Sequence, residues 1–345
     1  MIKINEELIK KVFDEMVKYR PALQKYLIVD EDDDDDEIDH RVLGDLVIRN
    51  MPWPIGVELR RLFSGSMRQL DRMRLDQIFK TIERTMQFLS FVMLSQVWQD
   101  VKNNKFTTPE SFSKELGNRI QVLSLGNFTW MLRSMCNMYN DNNMNWFMPE
   151  ISENFDKKFL NALDFWVPER NEIGHYQINL SQEEIEKRCV EYEEKLLFIL
   201  QKIAFVVKYK LVSVKEIIVN NTKNKPAEFH HIIDLLNSTD SDFKAGELNE
   251  TSFTESKSVL LMKSIKHLEE YLNLSPLVID TSSEILDSKD KFLIKKDIFL
   301  YSKFRAGHLM YSGTEVTEKC DLRTLSNYDC LVEEFEDMIR TVCGE

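Results

Sequence analysis

The chain has 345 residues, 43% of them hydrophobic, which is enough to bury a sizeable core and long enough to favour two domains over one. Its net charge is −13, but nine acidic side chains sit in the run "DEDDDDDEID" at 30–39; outside it the balance is a modest −4, so an RNA substrate is not excluded. The most apolar stretch, Met86 to Trp98, falls short of the ~20 residues of a bilayer span, no signal peptide is evident, and the scattered cysteines form no CxxC pair, which excludes a disulfide framework or zinc site and predicts a cytoplasmic protein.

In chain order, Leu8, Ile9, Val12, Phe13, Met16 and Val17 fall at helical spacing and predict an amphipathic helix reaching Tyr19 before Pro21. The acidic run repels itself and reads as a solvated loop. "MPWPIGVELRRLF" is expected to start extended and enter a helix after Pro54. Leu75 to Val101 has no Pro or Gly, and Ile78, Ile82, Met86, Leu89 and Val97 keep one face, which predicts a long helix. Thr108, Pro109 and Glu110 predict the cap and first turn of the next helix, running towards Tyr139. "ISENFDKKFLNALDFWVPE" predicts a short helix that Pro168 helps to end. Ser181-x-x-Glu184 is a capping box for a long last helix running on through "VVKYKLV". Together these segments predict an antiparallel helical bundle over about residues 54–214.

The polar region 220–258 is expected to hold one short helix, around "EFHHIIDLL", and "SKSVLLMKSIKHLEEYLNL" reads as another. "PLVIDT", "KDKFLIKK", "DIFLYSKF" and "AGHLMYSG" are short, rich in β-branched and aromatic residues, and separated by turn formers, which predicts a small antiparallel sheet. "SNYDCLVEEFEDMIRTV" closes the chain as a helix. The expected fold is mainly α, a helical bundle with a small β-rich C-terminal segment. Its parts are an N-terminal helix and acidic loop (1–50), the bundle (51–215), a polar connection (216–258) and a C-terminal α+β segment (259–345).

Residues 168–177, "PERNEIGHYQ", carry the sharpest chemical signal. Cleaving RNA without a metal needs a proton taken from the 2′-hydroxyl, a cation at the phosphate and a proton for the leaving oxygen. Histidine, with an unperturbed pKa of ~6.5, suits both proton steps. The planar fork of arginine suits the phosphate. One chain offers one such histidine, His175, so a two-fold dimer would be needed for a base and an acid. The same residues also serve plain structural roles: Arg170 pairing with Glu169 or Glu172, and His175 hydrogen-bonding to backbone. Spacing alone does not choose between them.

Weaker candidates are Arg60 and Arg61, at the head of the arginine-rich "RRLFSGSMRQLDRMR", which could line a phosphate path together with Tyr176, or form a charged helix face joined to partner acids. The acidic run lacks the Gly turn and alternating ligands of a calcium loop, and reads as a solvated loop or a shield over a basic cleft. The adjacent His230 and His231 make a poor metal pair on a helix. Arg305 and His308, flanking Gly307, read as a solvated turn or a second nucleotide contact. Met86, Phe88, Phe91, Met93 and Trp98 read as core or dimer surface.

Arg170-Asn171, three intervening residues and His175 match the R-N-x3-H motif of HEPN-domain proteins (higher eukaryotes and prokaryotes nucleotide-binding). "PWPIGVELRRLF" followed by a long apolar helix is similar to the beginning of a group of prokaryotic HEPN proteins, and the strand-rich tail resembles theirs loosely. The resemblance implies a HEPN-like bundle and a metal-independent endoribonuclease working as a homodimer, without cofactor. His175 would be the general acid/base, Arg170 would hold the scissile phosphate and Asn171 would orient it. It also implies a toxin, phage-defence or CRISPR-associated setting, with an antitoxin, sensor or nucleic-acid-guided protein as partner. Some HEPN domains only bind nucleotides or partners, which makes a non-catalytic interaction module the rival expectation.

Overall fold

A computed structural model of the chain describes residues 5–27, 39–175, 180–236, 244–250, 252, 254–266, 268, 270–281, 297–316 and 321–344. The helices are α1 (Glu6–Tyr19), α2 (His40–Asn50), α3 (Trp53–Phe63), α4 (Arg72–Lys102), α5 (Glu110–Arg119), α6 (Leu125–Asp141), α7 (Glu150–Asn154), α8 (Lys157–His175) and α9 (Gln182–Lys202). Strands β1 (Lys210–Asn220), β2 (Glu228–Leu235), β3 (Lys244–Glu250), β4 (Val259–Met262), β5 (Tyr271–Asn273), β6 (Val278–Asp280), β7 (Ile298–Arg305) and β8 (His308–Gly313) follow, then α10 (Tyr328–Cys343).

The chain divides into two compact units, each assembled from separated segments. The first takes Met1–Thr85, Glu150–Lys208 and Asn237–Asp240, and its described elements are helical. The apolar stripe of α1 buries Leu8, Ile9, Val12, Phe13 and Met16 against α2 and α9; each such side chain contributes ~1.5–3 kcal/mol of burial before entropy is subtracted. α8 and α9 enclose an aromatic cluster, in which Phe79 meets Trp166 and Tyr192 edge-on at 5.7 and 5.5 Å between ring centroids. The Ser181 hydroxyl caps α9, accepting from the Glu184 N–H at 3.2 Å, as the capping-box spacing predicts.

The second unit takes Met86–Pro149, Tyr209–Leu236 and Ser241–Glu345. It holds an antiparallel five-stranded sheet in the order β3-β2-β1-β4-β5 and a three-stranded sheet in the order β6-β7-β8. Val212, Val214, Ile233, Leu248, Leu260 and Met262 form a core on one face of the larger sheet. Met86, Phe88, Phe91 and Met93, on the C-terminal part of α4, are buried. Phe91 packs on Phe128 and Tyr301, and the Gln87 amide donates to the Tyr301 carbonyl at 2.9 Å.

The fold is not the mainly helical bundle with a small β segment that the pattern suggests. Of the described residues, 58% are helical and 17% are strand, with two antiparallel sheets, a mixed α/β fold. The difference has a local origin. The last bundle helix ends at Lys202, and "KLVSVKEIIVN" becomes β1, because its five β-branched valines and isoleucines are stiff at χ1 and suit a strand. "EFHHIIDL" is β2, eight residues in register with β1, although its apolar spacing also suits a helix turn. "SKSVLLMKSIKHLEEYLNL" contributes β4 and β5 in place of a helix, since Leu260 and Leu261 find cross-strand partners on both sides. The helix expected from Pro109 to Tyr139 is two, α5 and α6. α3 begins at Trp53, one residue before Pro54, and α2 was not anticipated. "PLVIDT", "DIFLYSKF" and "AGHLMYSG" do supply β6, β7 and β8, and the closing helix is α10; "KDKFLIKK" lies outside the described residues.

Candidate functional site

The Arg-Asn-His motif lies on the last turns of α8. The Asp156 carboxylate anchors the other end of that helix, accepting from the Phe159 N–H at 2.8 Å and from Lys202 at 2.9 Å. These hydrogen bonds hold its pKa below the ordinary aspartate value. Pro168 does not end the helix: α8 continues past it to His175, so the motif belongs to α8 and not to the entrance of α9. A mid-helix proline loses one backbone hydrogen bond. Trp166, buried two residues earlier, holds the helix in place through Phe79 and Tyr192.

A charge network ties the last turns of α8 to α9. Arg188 meets Glu172 at 2.7 Å, Glu184 at 3.0 Å and Glu169 at 3.8 Å, and the Tyr192 hydroxyl donates to Glu169. Hydrogen bonding to Glu172, followed by the charges around it, holds Arg188 more firmly protonated than usual. Burial, then the Glu169 contact, pushes the Tyr192 phenol above its ordinary value. With its side chain only 16% exposed, Arg188 is a structural cation.

Arg170 stands apart from this network. Its side chain is 45% exposed and pairs with Glu83 of α4 at 3.3 Å, not with the sequence neighbours Glu169 or Glu172. Asn171 is exposed beside it. His175 is the last helical residue; positions 170 and 175 on one continuous helix lie about 140° apart around the axis. Tyr176 lies outside the described residues. Arg60 sits over the Trp53 ring at 5.7 Å from its centroid, and Arg61 pairs at 2.9 Å with Glu58, a buried carboxylate that also receives the Gln77 amide. The arginine-rich stretch is thus engaged with partner acids: Arg72 pairs with Asp76 and Arg74 with Glu193. Sequence reasoning missed Glu83 and Arg188. Only the four-residue spacing of Glu184 and Arg188 gave a local sign of the network; the Glu83 contact is tertiary and left none.

The remaining candidates resolve individually. His230 and His231 lie on β2, where neighbours face opposite sides. The fully buried His231 is satisfied by the Phe229 carbonyl at one ring nitrogen and by the Thr254 N–H at the other. The acidic run lies outside the described residues apart from Asp39, which caps α2 by accepting from the Arg41 N–H at 2.8 Å. Among the described residues, no group of His, Cys, Asp and Glu could hold a metal ion, and no helix is long and apolar enough to cross a membrane. No family model, curated protein or solved structure matches the chain.

Proposed function

We propose that the chain is an RNA endonuclease that cuts by transesterification at Arg170, Asn171 and His175, with a second copy of the chain supplying a second histidine. The 2′-oxygen attacks the adjacent phosphorus as one His175 removes its proton. The 5′-oxygen leaves with a proton from the other His175, which yields a 2′,3′-cyclic phosphate and a free 5′-hydroxyl. Arg170 neutralises the charge that builds on the phosphorane, and Asn171 orients the phosphate.

The availability of Arg170 carries this reading. Its ion pair with Glu83 joins an exposed arginine to a half-buried glutamate at 3.3 Å, and pairs open to solvent are worth only ~0–1 kcal/mol, so a phosphate can displace the carboxylate. Arg188, held by three carboxylates, cannot be freed so cheaply. The resemblance to HEPN proteins at these residues supports the same chemistry, in a cytoplasmic toxin or antiviral-defence setting with an antitoxin, sensor or guide-loaded partner.

One observation favours a second reading, a non-catalytic module that docks on a basic partner surface: Glu83, Glu169, Glu172 and Glu184 crowd the end of α8 and repel phosphate. Structured RNA incubated in EDTA with the wild type, Arg170→Ala, His175→Ala and Glu83→Gln separates the two. The nuclease reading expects cleavage that both alanine variants abolish and that Glu83→Gln leaves intact with tighter RNA binding. A wild type that never cuts RNA, alone or with its natural partner, leaves the docking module.

A further inference from the structure

The hairpin of β7 and β8, with no part in the α8 chemistry, carries a second group of basic side chains. Its turn holds Ala306 and Gly307 at φ 52° and 76°, the left-handed pair that a tight two-residue hairpin requires. Cross-strand partners share a face: Arg305 with His308, Phe304 with Leu309, Lys303 with Met310 and, past a bulge at Ser302, Tyr301 with Tyr311. Tyr301 and Phe304 pack on Phe335 of α10 at 4.8 and 5.1 Å between ring centroids, so their face is the core. Strict alternation from Tyr301 would put Lys303 on that face too. The extra residue reverses the alternation and moves Lys303 to the opposite face, with Arg305, His308 and Met310.

A cavity of about 550 Å³ lies along β8 and is lined also by Asp321, Leu322 and Arg323. Lys303, His308 and Met310 line it, with Ser302, Leu309 and Tyr311 of the same two strands. Asp321 is the one carboxylate among its described lining residues, and Arg323 saturates it: Nε donates at 2.8 Å, Nη2 at 2.5 Å and the backbone N–H at 3.1 Å. That grip holds the Asp321 pKa down to about 2. Asp321 is thus taken up chiefly by Arg323, with His308 as a lesser electrostatic neighbour, whereas the side chains of Lys303 and Arg305 have no hydrogen-bond or ion-pair partner among the described residues. In a chain of net charge −13, no described carboxylate pairs with Lys303 or Arg305.

We infer that the cavity beside β8 binds a small phosphate ester of mononucleotide size, its phosphate at Lys303 and His308 and its flat body against Met310. The volume falls within the ~300–1,000 Å³ of small-molecule sites. An added peptide strand is disfavoured, because the Tyr328 hydroxyl occupies the edge of β8: it accepts from the Leu309 N–H at 2.9 Å and donates to the Leu309 carbonyl at 3.2 Å.

The test is equilibrium binding of AMP, GMP, CMP and UMP to the full chain, with adenosine and inorganic phosphate as separate arms. At least one nucleotide should bind saturably, more tightly than either fragment alone. Lys303→Glu should weaken it by about tenfold or more, His308→Ala should weaken it less, and Arg170→Ala should leave it unchanged. Circular dichroism on each variant confirms that the sheet is intact. No saturable nucleotide binding at millimolar concentration, equal binding by Lys303→Glu, binding of long RNA only, or loss in Arg170→Ala each overturns the inference; the last points to the α8 site.

Discussion

Arg74 offers the sharpest quantitative test of how the helical unit is held together. Its side chain is fully buried, yet it donates to the Met67 carbonyl at 2.7 Å and the Asn5 amide oxygen at 2.8 Å, and it pairs with Glu193. One guanidinium therefore ties the start of α1, the turn before α4 and the middle of α9. Arg74→Met keeps most of the packing volume and removes every donor. Breaking a buried ion pair from one side costs ~3–5 kcal/mol. Glu193 is 20% exposed, so water recovers part of that cost, while Asn5 is buried and does not recover. The expected loss is about 3 kcal/mol, read as a lower urea midpoint at unchanged slope by far-UV dichroism and by tryptophan fluorescence. Arg74→Met with Glu193→Leu should win back part of the loss, because the stranded carboxylate is then gone. By contrast Arg170→Ala, at a surface pair, should cost less than about 1 kcal/mol. An Arg74→Met loss no larger than that of Arg170→Ala would refute the reasoning.

Three further outcomes follow from the same contacts. Gly313→Ala would place a methyl 2.6 Å from an Asp297 carboxylate oxygen and 2.8 Å from the Val316 carbonyl, so thermal unfolding should show a loss of ~1–3 kcal/mol; an unchanged midpoint would mean that the 313–316 segment yields freely. Pro168→Ala restores a backbone donor inside α8 and should raise stability by about 1 kcal/mol, after the greater freedom of the unfolded chain is counted. A destabilised variant would show that the proline is needed in place. Burial pushes the Cys136 thiol up to about 12 and that of Cys189 up to about 11, whereas Cys330 is exposed. The folded state therefore holds these two protons more tightly than the unfolded chain, a stabilisation present below pH ~9 and lost as pH rises through 11 to 12. Iodoacetamide at pH 8 should modify Cys330 in the folded protein and reach Cys136 and Cys189 only in denaturant; early loss of the Cys136 thiol would contradict the assigned burial.

What was legible in the sequence was what short-range physics decides. Leu75 to Val101 shows its face at every turn and falls within α4, and Ser181 sits three residues from the N–H it caps. The sheet strands were not legible in the same way. β1 is flanked by β2 and β4, and "VLLM" of β4 gains its identity from Leu211 and Leu272, far apart in the chain. Short apolar runs suit either period until such partners are known. In the candidate site the motif residues were visible, but their environments were not. Arg60, Arg61 and Arg74 look alike in one basic stretch, yet one lies over a tryptophan, one neutralises a buried glutamate and one is sealed in the core. Likewise, nothing near Arg170 in sequence points to Glu83.

At Ser302 chain length, not residue type, decides which chemistry faces which way. A related protein one residue shorter at this point could keep every other side chain and still turn its lysine inward, against the tyrosine side of the sheet. Single-residue gaps are usually passed over as harmless variation. Here one gap would convert a binding surface into a misfit core, and a comparison that set it one place off would equate Lys303 with a buried position. Relatives that share the cavity should therefore be recognised by the count of residues between the Tyr301 position and the turn at Ala306 and Gly307, before any similarity in composition.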